Sequence, residues 1–323
     1  MKAVFMGTPE FAVPSLLAML EAGIEVMAVV TQPDKIRGRG RSVSFSPVKE
    51  AAAERGIPVL QPVRIRKDDA CKAALREMSP DVIVVVAFGQ IIPKDVLDIP
   101  RLGCINVHGS LLPKYRGAAP VQWALLCGEQ VTGVTTMLMD EGLDTGDMLL
   151  KAETPISDQD TSGTLSDRLS HMGADLLVDT LKGLEAGSIT PVKQDDSQTG
   201  IYAKMLTKEM GEIDFSKSAK EISLLIRGLD PWPGTFTFID GKQLRIFEAA
   251  ALPPQEGTDP HPAADIIPGT ITKVGKQDFE VMTGDGILSI RQVQLAGKKR
   301  MDAGSFLRGY RLTVGTILQA TDK

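Results

Sequence analysis

The sequence is short of the residues that staple, ligate or anchor a chain. Its three cysteines, Cys71, Cys104 and Cys127, stand far apart in 323 residues, with no CxxC pair. That spacing argues against a disulfide framework or a zinc site and for a reducing compartment. No apolar run approaches the length that spans a bilayer. The opening MKAVFMGTPEF enters a strand pattern and reaches turn residues too soon for a signal peptide, so a cytoplasmic protein is expected. Aromatic residues make up only 5% of the chain, so Leu, Ile, Val, Met and Ala must fill the cores. There is no excess of positive charge: the net charge of −5 argues against nucleic-acid binding through overall charge and leaves room for a local basic patch. The first strand leads into MGTPEF without a G-x-G-x-x-G pattern, and no acidic residue follows at the place that holds a ribose. Both absences argue against a nucleotide-dependent oxidoreductase.

What is present is an alternation of short apolar runs with helical patterns. KAVFMG, IEVMAVVT, DVIVVVAFG, GCINVHG and TGVTTMLM read as strands. Between them VPSLLAMLEAG, SPVKEAAAERG, KDDACKAALREMS and PVQWALLCG read as helices, with Ser46 as an N-cap and Pro47 at the first helical position of the second. The β-branched run of DVIVVVAFG suits a central strand buried on both faces. The expected fold is α/β: an open, mainly parallel, Rossmann-like sheet with helices on both faces. A long helix, roughly 161–187, closes this part, giving a first domain over 1–189. Residues 190–208 have no clear period and read as a linker. From 209 to 323 the character changes. One helix is followed by a hairpin turning at Asp240-Gly241, a loop with five prolines, and three more short strands. Short strands with tight turns indicate a smaller β-barrel of the oligonucleotide-binding type.

Ligands of open α/β sheets bind outside the carboxyl ends of the strands. Gly89 and His108 each close a strand there, and His108 is one of only three histidines. Asn106 and His108 lie two apart, so period-two alternation puts both side chains on one face. An amide and an imidazole together can bind a carbonyl oxygen that becomes an oxyanion. Such a histidine needs a carboxylate to orient it. Asp144, between Gly142 and Gly146 in MDEGLDTGDML, is a candidate. A lone histidine at a strand end is more often structural, and DxGD loops are common turns, so residue chemistry favours function only modestly. His171, in a helical pattern, and His261, in the proline-rich loop, read as structural.

INVHGSLLPKYRGAAP followed by DEGLDTGDML closely resembles the signature of the formyltetrahydrofolate-dependent formyltransferases. The resemblance implies that Asn106, His108 and Asp144 are the catalytic group. It implies 10-formyltetrahydrofolate as cosubstrate and no metal. It also implies that Ser110, Leu111, Leu112 and Pro113 line the folate site, with Phe88, Gly89, Gln90 and Ile91 as its pterin-binding loop. Within that family, VFMGTPEFAVPSLLAML, TQPDKIRGRGRSVSFSPVKEAA, GEIDFSKSAKEISLLIRGLDPWPGTFT and GKKRMDAGSFLRG resemble the members that act on initiator methionyl-tRNA. The alternatives are formyltetrahydrofolate hydrolysis or another formyl transfer of the same family. A non-catalytic RNA-binding module has the Asn106–His108–Asp144 set against it.

DKIRGRGRS has its own physical reading. Lys35, Arg37, Arg39 and Arg41 alternate with small or flexible residues, a pattern that suits approach to a phosphate backbone and equally suits a solvated surface loop. The resemblance favours tRNA contact, with Arg39 as the key arginine. The second domain fits less simply: from Glu209 onward 14 Lys and Arg face 15 Asp and Glu. Its tRNA-facing candidates are Lys298, Lys299 and Arg300, with Arg308 behind them. Membrane and protein partners are not indicated.

Overall fold

The computed structural model describes residues 1–37, 42–253 and 267–319. The chain divides into two compact units, one of residues 1–120, 131–155 and 165–204, the other of 121–130, 156–164 and 205–323.

The strands of the first unit are β1 (Lys2–Gly7), β2 (Glu25–Val30), β3 (Lys35–Arg37), β4 (Ser42–Ser44), β5 (Val59–Leu60), β6 (Val82–Val86), β7 (Cys104–His108), β8 (Val131–Leu138) and β9 (Met148–Pro155). Seven form one sheet in the order β5-β2-β1-β6-β7-β8-β9, and β3 pairs with β4 as a separate hairpin. The four pairings from β5 to β7 are parallel, as expected. The last two are antiparallel, and β5, β9 and the β3–β4 hairpin have no counterpart among the expected strands. Direction is invisible to a period-two pattern; only the connection between strands reveals it.

Helices α1 (Val13–Glu21), α2 (Pro47–Ala53), α3 (Asp69–Met78), α4 (Lys94–Leu97), α5 (Pro120–Leu126) and α6 (Ser162–Glu185) follow the strands. The Ser46 hydroxyl caps α2 by accepting from Lys49 N at 3.1 Å, and Pro47 opens it with its fixed φ. Asp68 caps α3 through Cys71 N at 2.9 Å. Cys71 and Leu75 of α3 and Val96 and Leu97 of α4 share a buried cluster with Val4, Met6, Ile83, Val85 and Cys104. Each fully buried aliphatic side chain there contributes about 1.5–3 kcal/mol. The opposite face meets α6. At Gly173 a Cβ would come within 2.8 Å of Val107, so only glycine allows this approach. Helices therefore cover both faces. Cys104, Asn106 and His108 alternate with Val107, which puts the two candidate site residues on the side of α3 and α4.

The second unit holds α7 (Ala219–Leu229), β10 (Thr235–Ile239), β11 (Lys242–Ala251), β12 (Ile271–Val274), β13 (Phe279–Met282), β14 (Ile287–Leu295), β15 (Met301–Asp302) and α8 (Ala303–Gly309). Ser218 and Glu221 form a reciprocal capping box on α7. Asp240 and Gly241 turn the β10–β11 hairpin with φ of 48° and 69°, the double left-handed turn that matches strand twist. The sheet is antiparallel, in the order β10-β11-β14-β13-β12, with β15 beside β14. Its edges are both engaged by the tail. Phe238 and Gln319 exchange two backbone hydrogen bonds of 3.0 Å, and Ile271 N donates to Thr316 O at 2.8 Å. Edges paired in this way offer no template to another chain over that stretch. Ile222 and Ile226 of α7 and Phe306 of α8 pack on the sheet's buried aliphatic face.

Candidate active site

β6 and β7 are neighbouring parallel strands, so the loops after Val86 and after His108 leave the sheet at one edge. Asn106 and His108 are 8% and 5% exposed. Buried polar side chains ordinarily have partners. His108 has them: its Nε2 lies 3.0 Å from the Tyr115 carbonyl oxygen, which only accepts, so Nε2–H is the donor. Its Nδ1 faces Asp144 Oδ1 at 3.8 Å. That is too long for a hydrogen bond and close enough for charge attraction when the ring is protonated. The Asn106 carboxamide has no hydrogen-bond partner among the described residues.

Asp144 arrives from an unexpected direction. Because β8 runs antiparallel to β7, it ends where β7 begins, with Met139 N bonded to Cys104 O. The loop must climb back along β7, roughly 13 Å at strand rise, before Asp144 meets His108. Several contacts shape that climb. Asp140 accepts from Gly142 N at 3.0 Å and Thr145 Oγ1 at 2.7 Å. Asp144 takes a left-handed φ of 56°, a conformation that Asp tolerates better than most side chains. At Gly146 a Cβ would lie 1.8 Å from Leu138 O, so glycine is required. Asp144 Oδ2 then accepts from Gly117 N at 2.9 Å, which fixes the carboxylate with Oδ1 toward His108.

The residues expected at the folate site divide into those facing outward and those holding the loops. Ile91 is 62% exposed. Phe88 is buried, and its carbonyl and that of Gly89 accept from Gln32 Nε2 at 3.3 and 3.0 Å. The Gln90 side chain ties Ile65 N and Pro62 O. Ser110 is fully buried, donating to Lys114 O at 2.6 Å, while its carbonyl accepts from Thr135 Oγ1. Leu111 borders Gly133, and Leu112 N donates to Thr135 Oγ1, with Pro113 buried beside it.

Among the residues expected to face tRNA, Lys35 is exposed on β3, opposite Ser44 of β4. Arg39 and Arg41 lie outside the described residues, as does His261, and only the backbone of Arg37 is described. In the second unit Lys298 and Lys299 are exposed and have no ion pair among the described residues. Arg300 is committed to neighbours: its guanidinium lies 4.2 Å from the Phe247 ring centroid and 3.7 Å from Asp230. It borders a cavity of about 500 Å³ that Lys220, Arg227 and Arg291 also line. Burial raises the Asp230 carboxyl against the opposing pull of Arg300 and Arg245. Arg308 donates within its own helix to Ser305 Oγ at 2.8 Å, and His171 is exposed on α6.

Three site residues carried no expectation from sequence: Tyr115, acting through its carbonyl, Arg116, and Gln194 from the stretch expected as a linker. Tyr115 and Arg116 lie inside the recognised motif, so position was the only available signal. Gln194 had none.

No group of three or more His, Cys, Asp or Glu side chains able to hold a metal occurs among the described residues, and no helix among them is long and apolar enough to cross a membrane. The formyl transferase family matches residues 1–181, and the C-terminal domain of formyl transferases matches residues 205–311. The methionyl-tRNA formyltransferase of Lachnospira eligens is 56% identical over 318 residues, covering 98% of this chain and 99% of the relative. That of Caldanaerobacter subterraneus is 50% identical, covering 99% and 100%. Among solved structures, the sugar 3N-formyl transferase WlaRD, in the presence of dTDP and 5-N-formyl-THF, has a TM-score of 0.66 at 22% identity, covering 93% of this chain and 99% of its own. HypX from Aquifex aeolicus, in complex with tetrahydrofolic acid, has a TM-score of 0.60 at 17% identity, covering 98% and 50%. At those identities the likeness is one of fold.

Proposed function

This chain belongs to the formyl transferase family, and from that premise we propose that it moves the formyl group of 10-formyltetrahydrofolate to the α-amine of initiator methionyl-tRNA. The observation that carries the proposal is the pairing of His108 with Asp144 beside an Asn106 carboxamide, unpartnered among the described residues, at a strand's carboxyl end. The relatives at 50% identity and above, aligned along both units, support methionyl-tRNA as the acceptor over water or another amine.

An amino acid esterified through its carboxyl group lacks the carboxylate that makes a free amino acid's amine basic, so its α-amine is readily neutral and nucleophilic. It attacks the formyl carbon and forms a tetrahedral intermediate. The Asn106 amide donates to the oxygen that becomes negative, the arrangement that lowers barriers of acyl transfer most. A nitrogen about 2.8–2.9 Å from both His108 Nδ1 and Asp144 Oδ1 spans their 3.8 Å separation. The pair thus takes the proton that the attacking amine loses and returns one to N10 as the carbon–N10 bond breaks. The products are tetrahydrofolate and formylmethionyl-tRNA, with no change in oxidation state. The Phe88–Ile91 and Ser110–Pro113 loops hold the folate. Lys35, Arg37, Arg39 and Arg41 meet the tRNA backbone from the first unit, and Lys298, Lys299 and Arg300 from the second. The domain limits proposed are 1–189 and 209–323, and the reaction places the protein in the cytoplasm with its tRNA.

The test is formyl transfer from 10-formyltetrahydrofolate to charged initiator tRNA, with charged elongator methionyl-tRNA as the control. Transfer to the initiator is the expected result. Formyl release without any amine acceptor would show a hydrolase instead.

A further inference from the structure

We propose that residues 192–203 are a strap that belongs to the active site, and that Gln194 is the positioning residue through which it holds Asp144. The inference rests on the function proposed above and assigns a part to a stretch that sequence pattern leaves as a connector.

The strap is fastened at both ends to the two loops that carry the catalytic group. At one end Val192 and Met148 exchange two backbone hydrogen bonds of 2.8 Å, immediately after the Asp144 loop. At the other, Ala203 N donates to Arg116 O at 2.8 Å and Ala118 N donates to Ala203 O at 2.8 Å, immediately after the His108 loop. Between these ends Gln194 Nε2 donates to the carbonyls of both Asp144 and Gly146, each at 2.8 Å. The two amide protons of one side chain thus clamp the loop at the residue that adopts the left-handed φ, Asp144, and again two residues further on.

The other end of the amide is held as well. Gln194 Oε1 accepts from Arg116 Nε at 2.9 Å, and the same guanidinium reaches Asp196 Oδ1 at 2.9 Å. Arg116 is buried, so its planar fork is fixed by both contacts. Fixing Oε1 on Arg116 leaves Nε2 no choice but to face the loop carbonyls. The chain of contacts then reads Asp196 to Arg116 to Gln194 to the backbone of Asp144, and from the Asp144 carboxylate to Gly117 N and His108. Gln194 touches neither substrate nor reacting atom in this chain. It sets where the carboxylate stands.

Catalytic geometry is sensitive to shifts of an ångström, which cost on the order of 100-fold. Gln194→Ala is expected to lower kcat by about 10- to 100-fold, with KM for the folate and for the tRNA each within about twofold of wild type. Gln194→Glu keeps the shape and places a carboxylate against two carbonyl oxygens. It is expected to be slower than Gln194→Ala at neutral pH, and to gain on it as pH falls and the acid recovers one donor. Asp196→Asn, which alters an exposed partner and leaves the clamp in place, is expected to lower kcat by a few-fold. Melting curves and circular dichroism of each variant report folding. Wild-type kcat in a folded Gln194→Ala, a loss confined to KM, or Gln194→Glu equal to Gln194→Ala at every pH would each overturn the proposal. A wild-type protein that transfers no formyl group to methionyl-tRNA would instead overturn the function on which it rests.

Discussion

In the first unit His108 and Asp144 are held by main-chain atoms, and in the second Lys298 and Lys299 stand exposed at the surface. His108 is fixed by the Tyr115 carbonyl and Asp144 by the Gly117 amide. Lys298 and Lys299 sit in the turn between β14 and β15, exposed and without ion pairs among the described residues. The contrast fits the two tasks proposed for them. Moving a proton requires donor and acceptor within a few tenths of an ångström. Attracting a polyanion requires only charge within a Debye length, about 8–10 Å in ordinary salt. Backbone ties suit the first task because the fold itself pays their entropy. Exposed lysines would suit the second because a long side chain in solvent can adapt to the phosphate it meets.

Breaking the first kind of site has the largest expected effect. His108→Ala and Asp144→Asn each remove one member of the proton pair, and each is expected to lower kcat about 10²- to 10⁴-fold. Because the two act as a unit, the double variant should cost little more than the worse single one. Asp144→Asn keeps an oxygen for the Gly117 amide, so the loop should stay folded by circular dichroism. Turnover near wild type in both would remove the catalytic assignment.

A weaker and differently shaped effect is expected from the second unit. Replacing Lys298 and Lys299 with Ala should raise KM for tRNA several-fold and leave both kcat and KM for the folate unchanged. The plot of log KM against log salt should also flatten by roughly 0.7–0.9 for each phosphate that the variant no longer neutralises. Arg300, stacked on Phe247 and paired with Asp230, is the counter-case: its replacement should also lower the melting temperature of the second unit. An unchanged salt slope in the double Lys variant would show that this turn does not meet the tRNA.

The same division explains what could be seen in the sequence. The parallel core was legible because β6 is VIVVV and β7 is CINVH, runs whose period and composition leave few other places to go. Asn106, His108 and Asp144 stood out as candidates because their side-chain types suit the proposed chemistry and because the motif around them is long. Gln194 was not legible, since it works on the carbonyls of Asp144 and Gly146, some fifty positions away, and a carbonyl has no residue type. Tyr115 was hidden for the same reason: its ring has no part in the contact with His108. The antiparallel entry of β8 was hidden because alternation is the same read in either direction. In the second unit the hairpin at Asp240-Gly241 could be read from the turn chemistry alone. The pairing of the tail with Phe238 could not, because nothing local in residues 315–319 announces a partner eighty positions earlier.

The smallest effect tests whether the contrast extends to accessibility. Burial pushes the Cys104 thiol up to about 12 and the Cys71 thiol up to about 11. Cys127, which belongs to the second unit, is exposed. The thiolate is the reactive form, so at pH 8 an alkylating reagent is expected to modify one thiol of the native protein quickly and all three after unfolding. Peptide mapping should place the fast site at Cys127, with formyl transfer unchanged. Cys104 is the informative site, because it lies on the same face of β7 as Asn106, two residues earlier. If it labels on the timescale of Cys127, the face carrying Asn106 and His108 opens in the free protein, and its rigidity, unlike that of the surrounding sheet, would have to come from bound substrate.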